Sequence, residues 1–320
     1  MPIKLDLKDK KILTLLDENA RLSNSQIAKK VGLSKPAVEY RLRRFEKSNI
    51  IFQYYSVIDF TKLGYPQYKI YFKFQDTTLE DEQKIIDYWK NDRNSIWIAQ
   101  IRGRWDLAVS ILAKSNFEFG KILSKFMNQY SKFILEKDVL LTEYSPIYAR
   151  DYLTETKPSE FIYGVPSKSY ELDETDKKIL KTLSKNARIN IVDLAEKTGL
   201  TRDTINYRLK KLTKEKIVVQ YRCYLNLQNL NINHYKIIFR TKNFDEQAEK
   251  QIKSYVTQHK KATQFLKLIG SWDLEIEFET ENEDELYKIL TDIRKKFSNV
   301  IRDFDILRIT ETYKYDYFPF

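Results

Sequence analysis

The chain repeats itself. Asp9-Lys10-Lys11-Ile12-Leu13 returns as Asp176-Lys177-Lys178-Ile179-Leu180, an offset of 167. The same offset carries Asn19-Ala20-Arg21 onto Asn186-Ala187-Arg188, Gly32-Leu33 onto Gly199-Leu200, and Gln53-Tyr54 onto Gln220-Tyr221. It also carries Tyr68-Lys69-Ile70 onto Tyr235-Lys236-Ile237, and Gly103 with Trp105-Asp106-Leu107 onto Gly270 with Trp272-Asp273-Leu274. Whatever one unit builds is therefore built twice, once near 1–150 and again near 171–320. Each unit is long enough for two small domains. Between them, Thr154 to Ser169 contains Pro158, Gly164 and Pro166 and little periodicity, so 151–170 reads as a linker. Fully extended, such a linker spans up to roughly 50–65 Å, and the units need not be neighbours.

Local signals divide each unit in the same way. Asp6 is an N-cap with Asp9 three residues on, and Ile12, Leu13 and Leu16 form the buried stripe of a first helix. Ser23 and Gln26 form a capping-box pair for a second helix with Ile27, Ala28 and Val31 inward. Gly32 then allows a sharp turn, Ser34 caps a third helix, and Pro36 is tolerated in its first turn. Val38, Leu42 and Phe45 recur at i, i+4, i+7, as do Ile205, Leu209 and Leu212 after Thr201, so one stripe of each third helix is buried. The β-branched and aromatic runs 49–58 and 216–225 read as a strand pair or wing. Residues 1–60 and 171–227 thus predict two winged helix-turn-helix domains.

In 65–150 and 232–320 the period changes. Strands are expected at 68–74, 95–102, 105–113 and 139–148, and helices at 79–90 and 117–130, with the same order from His234 to Tyr315. A βαββαβ order is the ferredoxin-like split unit. The predicted class is α+β, with two winged helix-turn-helix domains alternating with two ferredoxin-like sandwich domains.

The net charge of +11 is not evenly spread. Residues 1–58 hold 12 Lys and Arg against 6 Asp and Glu, and 171–225 hold 13 against 8, so these two windows carry the whole excess. Cations gathered around the two turn-helix stretches are the expected footprint of phosphate binding. The opening Met-Pro-Ile-Lys-Leu-Asp does not resemble a secretory signal, no run of about 18 apolar residues occurs, and one cysteine excludes an internal disulfide; a cytoplasmic protein without membrane contact is expected.

These motifs resemble the Lrp/AsnC (leucine-responsive, feast/famine) family of prokaryotic transcription regulators. The resemblance rests on Leu-Asp-x-x-Asp-x-x-Ile-Leu, Asn-Ala-Arg, Gly-Leu-Ser or Gly-Leu-Thr, Tyr-Arg-Leu with two basic residues, and Gly-x-Trp-Asp-Leu. It covers both units almost end to end. Its departure is the tandem arrangement, so it implies a covalent pseudo-dimer that binds double-stranded DNA, with further homo-oligomerisation through the ferredoxin-like domains left open. Sirohaem decarboxylases share the architecture, and an architectural DNA-binding protein is a third reading.

Candidate DNA-contacting residues are Lys35, Glu39, Tyr40, Arg41, Arg43 and Arg44, with Arg202, Asn206, Tyr207, Arg208, Lys210 and Lys211 in the second unit. Basic or tyrosyl residues shared by both copies suit phosphate contacts, whereas Lys35 against Arg202, Pro36 against Asp203, Ala37 against Thr204 and Glu39 against Asn206 differ where base edges are reached. Unequal half-sites are therefore expected. The resemblance also implies a small effector, such as an amino acid, near the turns carrying Gly103 and Asp106 and Gly270 and Asp273. The rival reading is that Gly permits the turn and Asp caps it. His234, His259 and Cys223 have no metal-ligand spacing, and no catalytic residue, metal or cofactor is predicted.

Overall fold

In a computed structural model the described residues are 4–154, 160–164 and 169–318. The first unit runs α1 (Leu7–Glu18), α2 (Asn24–Val31), α3 (Lys35–Lys47), β1 (Ile51–Ile58), β2 (Gln67–Phe74), α4 (Leu79–Asn91), β3 (Ser95–Arg102), β4 (Leu107–Leu112), α5 (Asn116–Tyr130) and β5 (Ile134–Tyr148). After β6 (Glu160–Tyr163) the order recurs as α6 (Glu174–Lys185), α7 (Ile191–Thr198), α8 (Arg202–Lys214), β7 (Val218–Leu225), β8 (Asn233–Thr241), α9 (Glu246–Gln258), β9 (Ala262–Ile269), β10 (Leu274–Thr280), α10 (Glu283–Lys296) and β11 (Ile301–Tyr315). The expected caps are in place: Asp6 accepts from the Asp9 amide and Ser23 from that of Gln26. Gly32 and Gly199 end α2 and α7 in the left-handed region.

The units are not independent. The strand pair expected after each third helix forms between the units: β1 runs antiparallel to β7. Tyr55 faces Arg222, and these are equivalent positions under the 167-residue offset, so the pseudo-two-fold axis passes through that pair. Cys223, expected in a wing, is instead buried among Ile12, Leu16, Val38 and Phe45 of the first unit. Burial pushes its thiol up to about 12, which makes it inert.

Each ferredoxin-like unit forms a four-stranded sheet, β5-β2-β4-β3 in the first and β11-β8-β10-β9 in the second. β5 and β11 are 15 residues long; β5 starts earlier than the expected 139 because Ile134–Asp138 continue its pairing along β2 as far as Phe74, and its second half leaves one sheet for the other. β5 pairs with β2 up to Thr142 and with β9 from Leu141, while β11 pairs with β8 and then with β3 from Arg308. The two sheets close into one ring. Of the expected linker, Pro158 and Pro166 lie outside the described residues, but β6 adds to β5 with Tyr163 opposite Ser145, so that part of 151–170 is sheet.

Period-two alternation sorts the side chains. Tyr68, Ile70 and Phe72 face α4 and α5, and Tyr235, Ile237 and Phe239 face α9 and α10. Tyr71, Trp105, Leu140, Ile238, Trp272 and Leu307 meet between the sheets. That interior is also charged, and unequally. Inward positions of β10 carry Glu275, Glu277 and Glu279, where β4 carries Ala108, Ser110 and Leu112. Glu275 accepts from Lys69 Nζ at 2.7 Å, Lys236 Nζ at 2.7 Å and the Tyr71 hydroxyl at 2.6 Å. Glu277 pairs with Lys236 and with His234 Nε2 at 2.7 Å. Burial lowers the Lys69 ammonium to about 8, whereas Lys236, despite its burial, is held above its ordinary range by Glu275 and Glu277.

A second network joins the helix-turn-helix layer to the sandwich. Asp17 accepts from Arg222 Nη2 at 2.6 Å and from Arg150 Nη1 at 2.8 Å, and Glu279 takes the other side of Arg150 at 2.9 Å together with the Tyr152 hydroxyl. Across the axis the equivalent positions hold Ser184, Tyr55, Tyr317 and Leu112, and Tyr55 stacks on Tyr317 at 5.7 Å. One side of the axis is ionic and the other aromatic.

Candidate nucleic-acid interface

α3 and α8 are built alike. Ser34 accepts from the Ala37 amide and Thr201 from the Thr204 amide, satisfying first-turn donors. Val38, Leu42 and Phe45 are buried, as are Ile205 and Leu212, while Leu209 is partly covered. Burying this stripe turns the opposite face to solvent. Lys35, Tyr40 and Arg43 on α3, and Arg202, Asn206, Tyr207 and Lys210 on α8, are exposed. Arg43 is 80% exposed and Tyr40 68%, with Tyr207 at 64%. Lys211 is half-buried, with its ammonium 5.2 Å from the Tyr170 ring centre. Glu39 lies between two cations, 3.8 Å from both Lys35 and Arg43.

Not every basic residue on these helices faces outward. Arg41 bonds Asp6 at 2.8 Å and also Asp9, and Arg44 pairs with Asp9 at 2.6 Å. Arg208 likewise bonds Asp173 at 2.5 Å and Asp176 at 3.3 Å. These arginines tie the third helix of each unit to the capped start of its first, with Asp9 and Asp176 buried beneath. The hydrogen bond it donates to Asp6 raises the Arg41 guanidinium above its usual range. The arrangement separates two roles that one sequence face had merged: Arg41, Arg44 and Arg208 hold the ridge, and Arg43 and Lys210 present it.

Arg21 and Arg188, from the Asn-Ala-Arg triplets of the two units, each reach across the axis. Arg21 Nη1 donates to Ala187 O at 2.7 Å and Ile189 O at 3.1 Å, and Arg188 Nη1 to Ala20 O at 2.6 Å and Leu22 O at 2.9 Å.

At the turns expected to hold an effector, both aspartates already have partners. Asp106 accepts from the Phe74 amide at 2.8 Å and pairs with Lys73, and Asp273 accepts from the Thr241 amide at 2.6 Å. A Cβ on Gly103 would lie 2.4 Å from Ile306 O, and one on Gly270 2.5 Å from Leu140 Cδ2. These glycines let the turns approach a strand of the other unit. Trp105 and Trp272 are buried between the sheets. Among the described residues no three His, Cys, Asp or Glu side chains gather as metal ligands, and no helix is long and apolar enough to cross a membrane. A cavity of about 70 Å³ lies between the sandwich and the β1–β7 pair, lined by Tyr55, Lys69, Arg150, Arg222, Lys236 and Glu277 among others.

A winged helix-turn-helix DNA-binding family model matches residues 5–51 and 172–219. An HTH-type transcriptional regulator of Pyrococcus furiosus is 28% identical over 130 residues, 40% of this chain and 87% of that one. The proline dehydrogenase transcriptional activator of Rhizobium radiobacter is 32% identical over 94 residues, 29% of this chain and 59% of that one. The siroheme decarboxylase NirDL superposes with a TM-score of 0.63 at 12% identity, covering 96% of this chain and 92% of that one, which is a likeness of fold. The two matches fall on the first three helices of each unit, and each unit continues into a ferredoxin-like sheet. The chain carries two winged helix-turn-helix DNA-binding domains, each followed by a ferredoxin-like sheet, on one polypeptide, which is the arrangement its resemblance to the Lrp/AsnC regulators leads one to expect.

Proposed function

We propose that the protein is a sequence-specific transcription regulator that places α3 and α8 in successive major grooves of one duplex. The observation that carries the reading is the recurrence of an exposed cationic ridge at equivalent positions of two units related by the axis through Tyr55 and Arg222. Phosphate contacts fall to Arg43, Lys210 and Lys211 with Tyr40 and Tyr207, and base contacts to Lys35, Arg202, Asn206 and Glu39. Because Arg favours guanine and Asn adenine, unequal residues at equivalent positions support a site with unequal halves. Selection from random duplex DNA tests this: an asymmetric selected site is expected, and a perfect palindrome or no enrichment would remove the reading. A small effector, such as an amino acid, would meet Asp106 and Asp273 already bonded to Lys73 and to the Phe74 and Thr241 amides, so the turn amides are what these sites have left to offer it. Ring closure uses the edges of the ferredoxin-like sheets within the chain, which leaves helical faces, β6 and the outer edges of the β1–β7 pair for assembly between chains.

A second reading is favoured by the NirDL superposition, which runs almost the whole chain and includes a co-complex with an iron-uroporphyrin III analogue. The cavity of about 70 Å³ is far below the roughly 300–1,000 Å³ of typical small-molecule sites. An open groove of about 630 Å³ beside Arg102, Arg308 and His234 offers a tetrapyrrole room and cations for its carboxylates. Titration with an iron-uroporphyrin separates the readings: a shifted Soret band lost in R102A/R308A supports the enzyme, and an unshifted band supports the regulator alone.

A further inference from the structure

We infer that Arg21 and Arg188 are positioning residues that set the spacing between the two DNA half-sites, an assignment that rests on the regulator reading above. The two helix-turn-helix domains are joined directly, not only through the sandwich beneath them. Each arginine crosses the axis and donates to two backbone carbonyls in the turn between the first and second helices of the other unit. Each also lies over a tyrosine ring, Arg21 over Tyr221 at 5.5 Å and Arg188 over Tyr54 at 5.4 Å. The alanine preceding each arginine closes the joint, with the Ala20 amide donating to Tyr221 O at 2.8 Å and the Ala187 amide to Tyr54 O at 2.9 Å. A planar guanidinium held by two carbonyls and a ring has little freedom left.

The joint also reaches a recognition helix. Arg188 Nη2 donates to Asn24 Oδ1 at 2.9 Å, and Asn24 Nδ2 donates to Glu39 of α3 at 3.5 Å. Glu39 in turn lies beside Lys35 and Arg43. In the second unit the residue equivalent to Asn24 is Ile191, and that branch is missing. Two rigidly joined ridges can engage both half-sites only at the separation and helical phase the joint dictates. Linking two modules whose geometry fits raises affinity by about 10²–10⁴, and the gain disappears when geometry forbids simultaneous contact.

The test uses the full chain and duplexes carrying its selected half-sites at spacings stepped one base pair at a time through a helical turn. Inserting about 5 bp turns one half-site to the opposite side of the duplex, and wild type should then lose about 100-fold in affinity. R21A/R188A should lose less than about 10-fold over the same series. It should bind a single half-site within about twofold of wild type, because neither arginine lies on the exposed ridge. A wild-type spacing profile in the variant, or a flat profile in wild type, overturns the assignment while leaving DNA binding intact. No binding at any spacing overturns the regulator reading as well. If the alanine pair does not fold, R21K/R188K keeps each cation without the planar fork, and the same two outcomes decide.

Discussion

Removing Asp17 should cost more than any surface change, and the reason lies in how the buried charges balance. Asp17 and Glu279 together face two guanidiniums, Arg150 and Arg222, and all four residues are buried. Asp17→Ser copies the residue at position 184 but leaves Arg222 without its carboxylate and one unmatched positive charge in the interior. Breaking a buried pair on one side costs about 3–5 kcal/mol. Against a total stability of about 5–15 kcal/mol, that is a large fraction. At about 2–4 °C per kcal/mol, the melting temperature should fall by about 6–20 °C. D17S/R150Y/R222Y/E279L installs the residues that occupy the same places across the axis, and should return to wild-type stability or exceed it by about 1–4 kcal/mol. The pH dependence has a definite sign. Burial alone would raise the Asp17 carboxyl, but Arg222 and Arg150 hold it below its ordinary value. Its contribution is therefore present above the unfolded carboxylate pKa of about 3.9 and lost as pH falls from there. Thermal unfolding of the three proteins between pH 7 and pH 3 reads both effects. A single variant within about 1 kcal/mol of wild type, or a fourfold variant as weak as the single one, would refute the charge-balance account.

Arg43→Ala with Lys210→Ala should weaken binding on every sequence and lower the salt slope by about 2, while leaving the melting temperature unchanged; a steady slope in a salt titration would count against a phosphate role. Arg41→Ala or Arg208→Ala should instead destabilise the fold by about 1–3 kcal/mol, because Asp9 or Asp176 loses a partner, and denaturant titration should show it. Gly103→Ala and Gly270→Ala force a Cβ onto the opposing unit at a left-handed φ of 132° or 151°, and each should lower stability by more than about 1–3 kcal/mol in thermal melts. Lys69, lowered to about 8 by burial, binds its proton less well in the folded than in the unfolded chain. Its part of the stability should rise from about pH 8 to 10, so urea midpoints of wild type should gain on those of Lys69→Met across that range, and parallel curves would contradict it.

Neighbouring residues were enough to specify much of this molecule. The caps at Asp6, Ser23, Ser34 and Thr201, the glycine turns at 32 and 199, and the buried stripe of each third helix depend on contacts within a few positions, so they are legible along the chain. The repeat likewise announced two copies of one architecture, and the outward ridge followed from the buried one. Distant surfaces decided the rest. Helical phase puts Arg41 beside the buried stripe and Arg43 nearly opposite it, but only docking α3 on α1 supplies the buried Asp9 that holds Arg41. β1 carried the pattern of a strand without naming its partner, which is β7, because hydrogen-bonding edges are alike until two chains are brought together. The glutamates of β10 fell at inward positions by period alone, but only the facing sheet supplied Lys69, Arg150 and Tyr71 to make their burial tolerable. Charge in an interior is settled by what meets it, and that meeting belongs to the tertiary structure.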